Sequence, residues 1–335
     1  MRAFLKRGLR ACLGRFGYEA MRRADLYDWQ IAPRVGFDYN RSAQLPDGAR
    51  EYLRRHNPKL QELQKRYADF DATVTTPLVW TDELIRDEDI LYFRGDNAWV
   101  WQLRGKNNNV ISYALAAYYI ETIDELGLLD ELAEDAYFGN YVFDINGRVV
   151  SRDLLDSILE IYFLDRHLGI SKNEPNVLDI GAGYGRLAHR MTRGIGVKSY
   201  TCTDGVAIST FISDYYLGFR GAERARVVPL DEIEATLAEQ DVDVAVNIHS
   251  FSECTAAAVD WWVSLLAARK VPHLMIVPNT LDHGGEQLLT NGRDDMLPIL
   301  QDKGYRLIAK EPKYLDATVQ QYALNPTYHY LFGLS

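Results

Sequence analysis

The stretch Val177-Leu-Asp-Ile-Gly181-Ala-Gly183-Tyr-Gly185-Arg186-Leu-Ala constrains this chain more than any other, because an apolar run, a glycine-rich turn and the start of a helix follow one another without a break. Glycines lack Cβ, so such a turn takes positive φ and lets a ligand approach the main chain, while the helix behind it offers unpaired N–H groups. The pattern describes a cradle for a nucleotide-type ligand at the end of a buried strand. Two other glycine turns are excluded. No Gly-Lys-Ser/Thr follows, which removes the Walker A loop, and Arg186 stands where the dinucleotide fingerprint needs its third glycine. What stands is G-x-G-x-G, preceded by Asp179.

The surroundings suit that reading. After Pro175, short β-rich runs alternate with helical ones, as an α/β, doubly wound parallel sheet requires. Strands are expected at 176–180, 200–203, 226–229, 242–248 and 273–278. Two closing runs, 305–310 and 328–333, lie too near each other for a helical crossover, which predicts an antiparallel hairpin. Before the sheet, residues 47–168 read as mainly helical, with apolar periodicity clearest over 110–126 and 154–168. Within 137–150, Asn146-Gly147 marks a tight hairpin turn. Three parts are therefore expected: a basic segment 1–46, a mainly helical or lid domain 47–170, and the α/β domain 171–335.

Bulk chemistry narrows the classes. The 335 residues are 47% apolar and 25% charged, and no run approaches the ~18 apolar residues of a membrane span. A net charge of −10 offers no general attraction to phosphate backbones, so no nucleic-acid partner is expected. Residues 1–23 are the exception, with seven Lys or Arg against Glu19 alone; they read as a solvated helix or tail, or as a peripheral contact with a membrane surface. Arg10 and Arg15 interrupt any signal-peptide core. Cys12, Cys202 and Cys254 are far apart and form no CxxC pair, which fits a reducing cytoplasm.

A strand carrying Asp179 into G-x-G-x-G resembles motif I of the class I S-adenosylmethionine (SAM) dependent methyltransferases. The resemblance implies a Rossmann-like fold with SAM as cofactor, cradled by Gly181, Ala182, Gly183 and Gly185, with Asp179 touching it or orienting the helix. Asp204, at the end of the next strand, can accept hydrogen bonds from both ribose hydroxyls. Asp231, past the third strand, either flanks the adenine or caps the helix from Ile233. Asn247, at the end of the fourth, completes the expected cofactor set.

In such a fold the acceptor meets the methyl group beyond the fourth and fifth strands. Here those ends are polar, Asn247-Ile-His-Ser-Phe-Ser-Glu-Cys254 and Asn279-Thr-Leu-Asp-His-Gly-Gly-Glu286. A hydroxyl is a poor nucleophile until a base or a metal draws on its proton. His249 is the first candidate base, with Glu253 to orient it or act in its place and His283 second. The competing device is a divalent cation such as Mg²⁺ on Glu253, Asp282 and Glu286. The Asp/Asn-Pro-Pro-aromatic loop of DNA amino-methylating enzymes and the Pro-Cys of cytosine-C5 enzymes are both missing, and Cys254 reads as a packing residue.

Further residues carry a closer resemblance: Val150-Ser-Arg-Asp-Leu-Leu-Asp-Ser157, Asn247 to Glu253, Val277-Pro-Asn279, Lys313-Tyr-Leu-Asp316 and Tyr328-His-Tyr-Leu-Phe332. Over 137–335 the chain resembles the sugar O-methyltransferase family typified by the nanchangmycin sugar methyltransferase. That implies methylation of a sugar hydroxyl on a polysaccharide, glycolipid or glycoside. The first 136 residues add nothing to this likeness; their aromatics, including Tyr92, Phe93, Trp99, Trp101, Tyr118 and Tyr119, either stack on sugar faces over the acceptor or pack in the core. Two other readings are a methyltransferase for another small molecule or a protein, and a catalytically silent SAM-binding scaffold.

Overall fold

The computed structural model describes residues 44–335 except 82, 104–107 and 281–282, together with positions 12, 13, 15, 16 and 18. Most of the basic stretch 1–23 lies outside the described residues. The first strands, β1 (Phe143–Ile145) and β2 (Arg148–Val150), form the hairpin that Asn146-Gly147 predicts, with both turn residues at positive φ, 57° and 78°. The main sheet contains β3 (Asn176–Ile180), β4 (Ser199–Thr203), β5 (Ala225–Val227), β6 (Val244–Ile248), β7 (His273–Val277), β8 (Tyr305–Pro312) and β9 (Tyr328–Leu334). Its order is β5-β4-β3-β6-β7-β9-β8, parallel from β5 through β7 and antiparallel on both sides of β9. This is the doubly wound, Rossmann-like arrangement expected, with strand ends falling within a few residues of the predicted ones.

The closing pair departs from a simple hairpin in one respect. β8 and β9 do pair antiparallel, but the Ala317–Tyr322 helix separates them in sequence and the later strand lies inside, between β7 and β8. Composition accounts for the order. β9 carries His329, Tyr330, Leu331 and Phe332, all buried, whereas β8 exposes Arg306, Leu307 and Ile308 and is bulged between Leu307 and Ala309, as edge strands commonly are.

Because β3 has β4 on one side and β6 on the other, the order reverses there, and the strands' carboxyl ends open a crevice. β3 runs Val-Leu-Asp-Ile buried on both faces, the mark of a central parallel strand. Residues on both sides of position 170 build one apolar core, in which Leu60, Phe93, Ile158 and Phe163 join Leu178 and Phe211. The Pro58–Ala68 helix, capped by Asn57, lies on the Ala207–Arg220 helix: Lys59 pairs with Asp214 at 2.6 Å, and the Tyr67 hydroxyl meets Thr210 at 2.9 Å. No helix among the described residues is long and apolar enough to cross a membrane.

A buried ion cluster ties the early helical region to the sheet. Glu134 accepts from Arg94 at 2.6 Å, Arg190 at 2.8 Å and the Ser151 hydroxyl, while Asp135 accepts from Arg94 at 2.9 Å and Arg220 at 2.5 Å. The side chains of Arg94 and Glu134 are 0% exposed, and the two guanidiniums hold the Glu134 carboxyl far below the usual range despite its burial. Removing one member strands the others without counter-charge, so Glu134→Gln should cost about 3–5 kcal/mol in urea denaturation. Arg66→Ala, which breaks the partly exposed pair with Asp231, should cost about 1 kcal/mol or less. Equal losses in the two variants would refute the cluster's structural role.

Candidate active site

The glycine turn is fastened to the neighbouring strand before any ligand is considered. The N–H groups of Gly181 and Ala182 both donate to the carbonyl of Thr203, at 2.9 and 3.1 Å, and that of Gly183 donates to Asp204 Oδ2 at 2.9 Å. All three glycines take positive φ, yet a Cβ would meet something different at each. At Gly181 it would overlap Ser250; at Gly185 it would press on Ser213 at 2.9 Å and Leu217 at 3.1 Å; at Gly183 its nearest neighbour would be Trp99 Cδ1, 3.7 Å away. Gly181 and Gly185 therefore serve packing, and Gly183 lines a cavity, with only Trp99 at ordinary contact distance.

That cavity, about 520 Å³, lies across the carboxyl ends of β3, β4 and β6 and is roofed by residues 73–80 and 98–101. Its volume lies within the range of small-molecule and cofactor sites. Asp179, Gly181, Ala182, Gly183 and Asp204 line one part, and His249, Ser250, Glu253 and Asn279 another. Asp204 sits at the end of β4 and receives Val206 N–H on Oδ1 at 2.8 Å as well as Gly183 on Oδ2. Asp179 accepts from the Tyr200 hydroxyl at 2.8 Å. Burial pushes both carboxyls up to about 7.

Glu253 ends the short 3₁₀ turn Ser250–Glu253 behind β6. Its carboxylate accepts from the Trp80 indole N–H at 2.6 Å and from the Asn279 amide at 3.3 Å, and burial raises its pKa. His249 lies in the same wall at φ 69°, a conformation a β-carbon rarely adopts, with Nδ1 3.3 Å from the carbonyl of Pro278. Burial, with Arg152 adding to it, drives its imidazole down to about 3, so it is neutral across the physiological range.

Four expected site residues stand elsewhere. Asn247 is fully buried and does not reach the cavity: its amide donates to Ile180 O and Ser250 Oγ and accepts Phe251 N–H, which locks the end of β6 to the end of β3. Asp231 neither lines the cavity nor caps the Ile233–Glu239 helix, because Arg66 holds it from two sides at 2.7 and 2.8 Å. His283 does not line the cavity, and its two ring nitrogens are buried without a partner. Glu286 is exposed beside β9, where its carboxylate accepts from Tyr328 at 2.7 Å. Glu286 does not line the cavity with Glu253, and Asp282, the third carboxylate expected for Mg²⁺, falls outside the described residues; among the described residues no group of three or more His, Cys, Asp or Glu that could hold a metal ion is found.

The aromatics divide. Tyr92, Phe93 and Tyr118 are core, whereas Trp99 and Trp101 line the cavity with Trp80, and Trp101 is 49% exposed. Trp80 and Trp99 are in ring contact at 5.4 Å.

The cavity also holds residues that the sequence reasoning missed. Arg152, Asp153 and Asp156 reach it from the first turns of the Arg152–Leu168 helix. Arg152 pairs with Asp156 at 3.2 Å, and the buried ammonium of Lys313 bonds Asp156 and the carbonyls of Leu324 and Asn325. A signal existed: Asp153, Asp156 and Glu160 recur at helical spacing on the apolar face of that helix, and acids there must have partners. Trp80 left no such trace, because it sits in an irregular segment.

No protein-family model and no curated protein matches the sequence. Solved structures of similar outline include the cyclase SpnF (16% identity, 58% of this chain and 86% of that one, TM-score 0.40). Two others are the magnesium protoporphyrin IX methyltransferase ChlM from Synechocystis PCC 6803 with bound SAM (14%, 55% and 83%, 0.39) and the mitomycin 7-O-methyltransferase MmcR (16%, 55% and 57%, 0.38). The functional reading rests on this chain's own residues.

Asp179 offers a test of the site's electrostatics. Its folded pKa, about 7, lies above the unfolded value near 4, so the native state holds a proton that the unfolded chain gives up. Stability from this group is therefore lost as pH rises from about 4 to about 7, by at most about 4 kcal/mol. Asp179→Asn removes the titration while still accepting from Tyr200. It should melt above the wild type at pH 8, with the difference shrinking at pH 5; a gap independent of pH would contradict the assignment.

Proposed function

We propose that the chain is a SAM-dependent O-methyltransferase acting on a sugar hydroxyl of a polysaccharide, glycolipid or glycoside. The observation that carries this is that one cavity joins Gly183 and the Asp204 carboxylate to a second carboxylate, Glu253, behind β6. The strand order, with its inserted antiparallel β9, is the topology of the class I methyltransferases that motif I resembles.

The residues present suit SAM. Gly183 leaves room for a ligand against the main chain, and Asp204 keeps lone pairs free beyond its two backbone bonds to take ribose hydroxyls. Asp179, Asp204 and Glu253 form an acidic lining that complements a positively charged ligand. When bound, SAM supplies an electrophilic methyl group on a cationic sulfur. The chain itself must position the acceptor, exclude water and take the acceptor's proton.

Glu253 is the better base of the two in this wall. Burial raises its proton affinity, whereas the His249 imidazole is driven down to about 3 and holds a proton weakly. We assign His249 to shaping the loop behind β6, and residues 73–80 and 98–101 to a cover that keeps water from the reaction.

The sugar acceptor is supported by convergence. Of the segments that resemble the sugar O-methyltransferase family, Arg152, Asp153, Asp156, His249, Glu253 and Asn279 line this same cavity, and Lys313 fastens Asp156 from behind. Planar carboxylate, guanidinium and amide groups suit the hydroxyls of a sugar ring, and the half-exposed indole of Trp101 suits its apolar face.

The test follows labelled methyl from SAM into the glycan fraction of the source cells, with hydrolysis to identify the methylated sugar. Glu253→Gln should lower transfer roughly 10²–10⁴-fold while SAM affinity by calorimetry stays within about twofold. Gly183→Val should abolish SAM binding yet keep cooperative unfolding. Label only in non-carbohydrate acceptors would overturn the sugar assignment, and unchanged SAM affinity in Gly183→Val would move the cofactor elsewhere.

A further inference from the structure

The cavity's two halves are chemically unlike. Its floor comes from strand ends, while its roof, residues 73–80 and 98–101, belongs to a region with no part in the glycine motif. One roof side chain crosses to the reacting side. Trp80 Nε1 donates to Glu253 Oε2 at 2.6 Å, the shorter of the two bonds that carboxylate accepts from side chains, the other coming from Asn279 at 3.3 Å. A donor aimed at an ionised carboxylate favours the ionised form and fixes which oxygen lone pairs are left for a substrate.

The roof is registered on the floor by close approaches. A Cβ at Gly205, in the turn after β4, would lie 2.8 Å from the carbonyl oxygen of Val74, so main chain meets main chain there only because position 205 is glycine. Farther along the roof, Trp80 packs on Trp99, and the Trp99 indole donates to Ser209 Oγ at 3.1 Å at the start of the Ala207–Arg220 helix. Two anchors on the β4 side thus bracket the indole that holds Glu253. The ionisable groups acting on Glu253 from packed elements are Asp204, at the end of β4, and Cys254, next in the chain.

We propose that Trp80 is a positioning residue that couples the 73–80 segment to Glu253, its indole N–H fixing which carboxylate lone pairs face the acceptor. The coupling rests on the assignment of Glu253 as the base. Burial raises the Glu253 pKa and the Trp80 hydrogen bond opposes that rise, so the indole both orients the carboxylate and favours its ionised form.

The experiment titrates Glu253 directly in the full-length protein, using carbon-13 NMR of glutamate side-chain carboxyls, with the resonance assigned by its loss in Glu253→Gln. Trp80→Phe keeps a ring against Trp99 but has no N–H; it should raise the Glu253 pKa by about one pH unit, a tenfold change in the ionisation constant. Asn279→Ala, removing the longer bond, should raise it by less. A Glu253 titration that is unmoved or lowered in Trp80→Phe overturns the coupling. Failure of the underlying assignment reads differently, as full methyl transfer in Glu253→Gln, whatever the titrations show.

Discussion

The pairing of β3 with β4 is the contact on which the cavity depends. Its register brings Ile180 level with Thr203, and from there the glycine turn hangs its first two N–H groups on the Thr203 carbonyl and its third on Asp204. The turn is thus shaped by strand geometry rather than by whatever it binds. Because β6 flanks β3 on the other side, the same strand end also sets the loop that carries Glu253, through the amide of Asn247. A one-residue slip of β3 would reverse its two faces and dismantle both halves of the site together.

Charge placement sets a second constraint. The ion cluster of Arg94, Glu134, Asp135, Arg190 and Arg220 sets each of its two carboxylates against two guanidiniums, so its burial specifies how the early helices dock. The cavity acids are different. Asp179 and Asp204 have hydrogen-bond donors but no guanidinium or ammonium bound to them, and their raised pKa values record stability given up where a cationic ligand would restore it. Asp156, in the same cavity, is instead paired with Arg152 and Lys313.

Legibility in the sequence followed the range of the interactions involved. The glycine turn, the strand–helix alternation and the Asn146-Gly147 hairpin are local, and each was readable from consecutive residues. Asp231 and Asn247 were assigned to the cofactor by position along the chain, and what removes them is distant: Arg66, 165 residues upstream, in one case, and the carbonyl of Ile180 across the sheet in the other. The position of β9 inside β8 turned on which strand can bury both faces, a comparison that spacing alone does not make. Asp153 and Asp156 could have been found as acids at core positions of a helix. Trp80 could not, since only the fold brings it to Glu253.

The three glycines of the turn look alike in the sequence and differ in what they tolerate. Positions 181 and 185 are closed by Ser250, Ser213 and Leu217, so side chains there would be rejected by the protein itself, whereas at position 183 a Cβ would meet only Trp99, at ordinary contact distance. A chain that lost its ligand over evolutionary time would be released from glycine at 183 first, and then toward residues such as Asn or Asp that accept the left-handed backbone of its φ of 58°, while 181 and 185 stayed fixed by the fold. Variation confined to the middle glycine is therefore the mark by which a bound descendant of this architecture could be told from one that keeps the turn only as masonry.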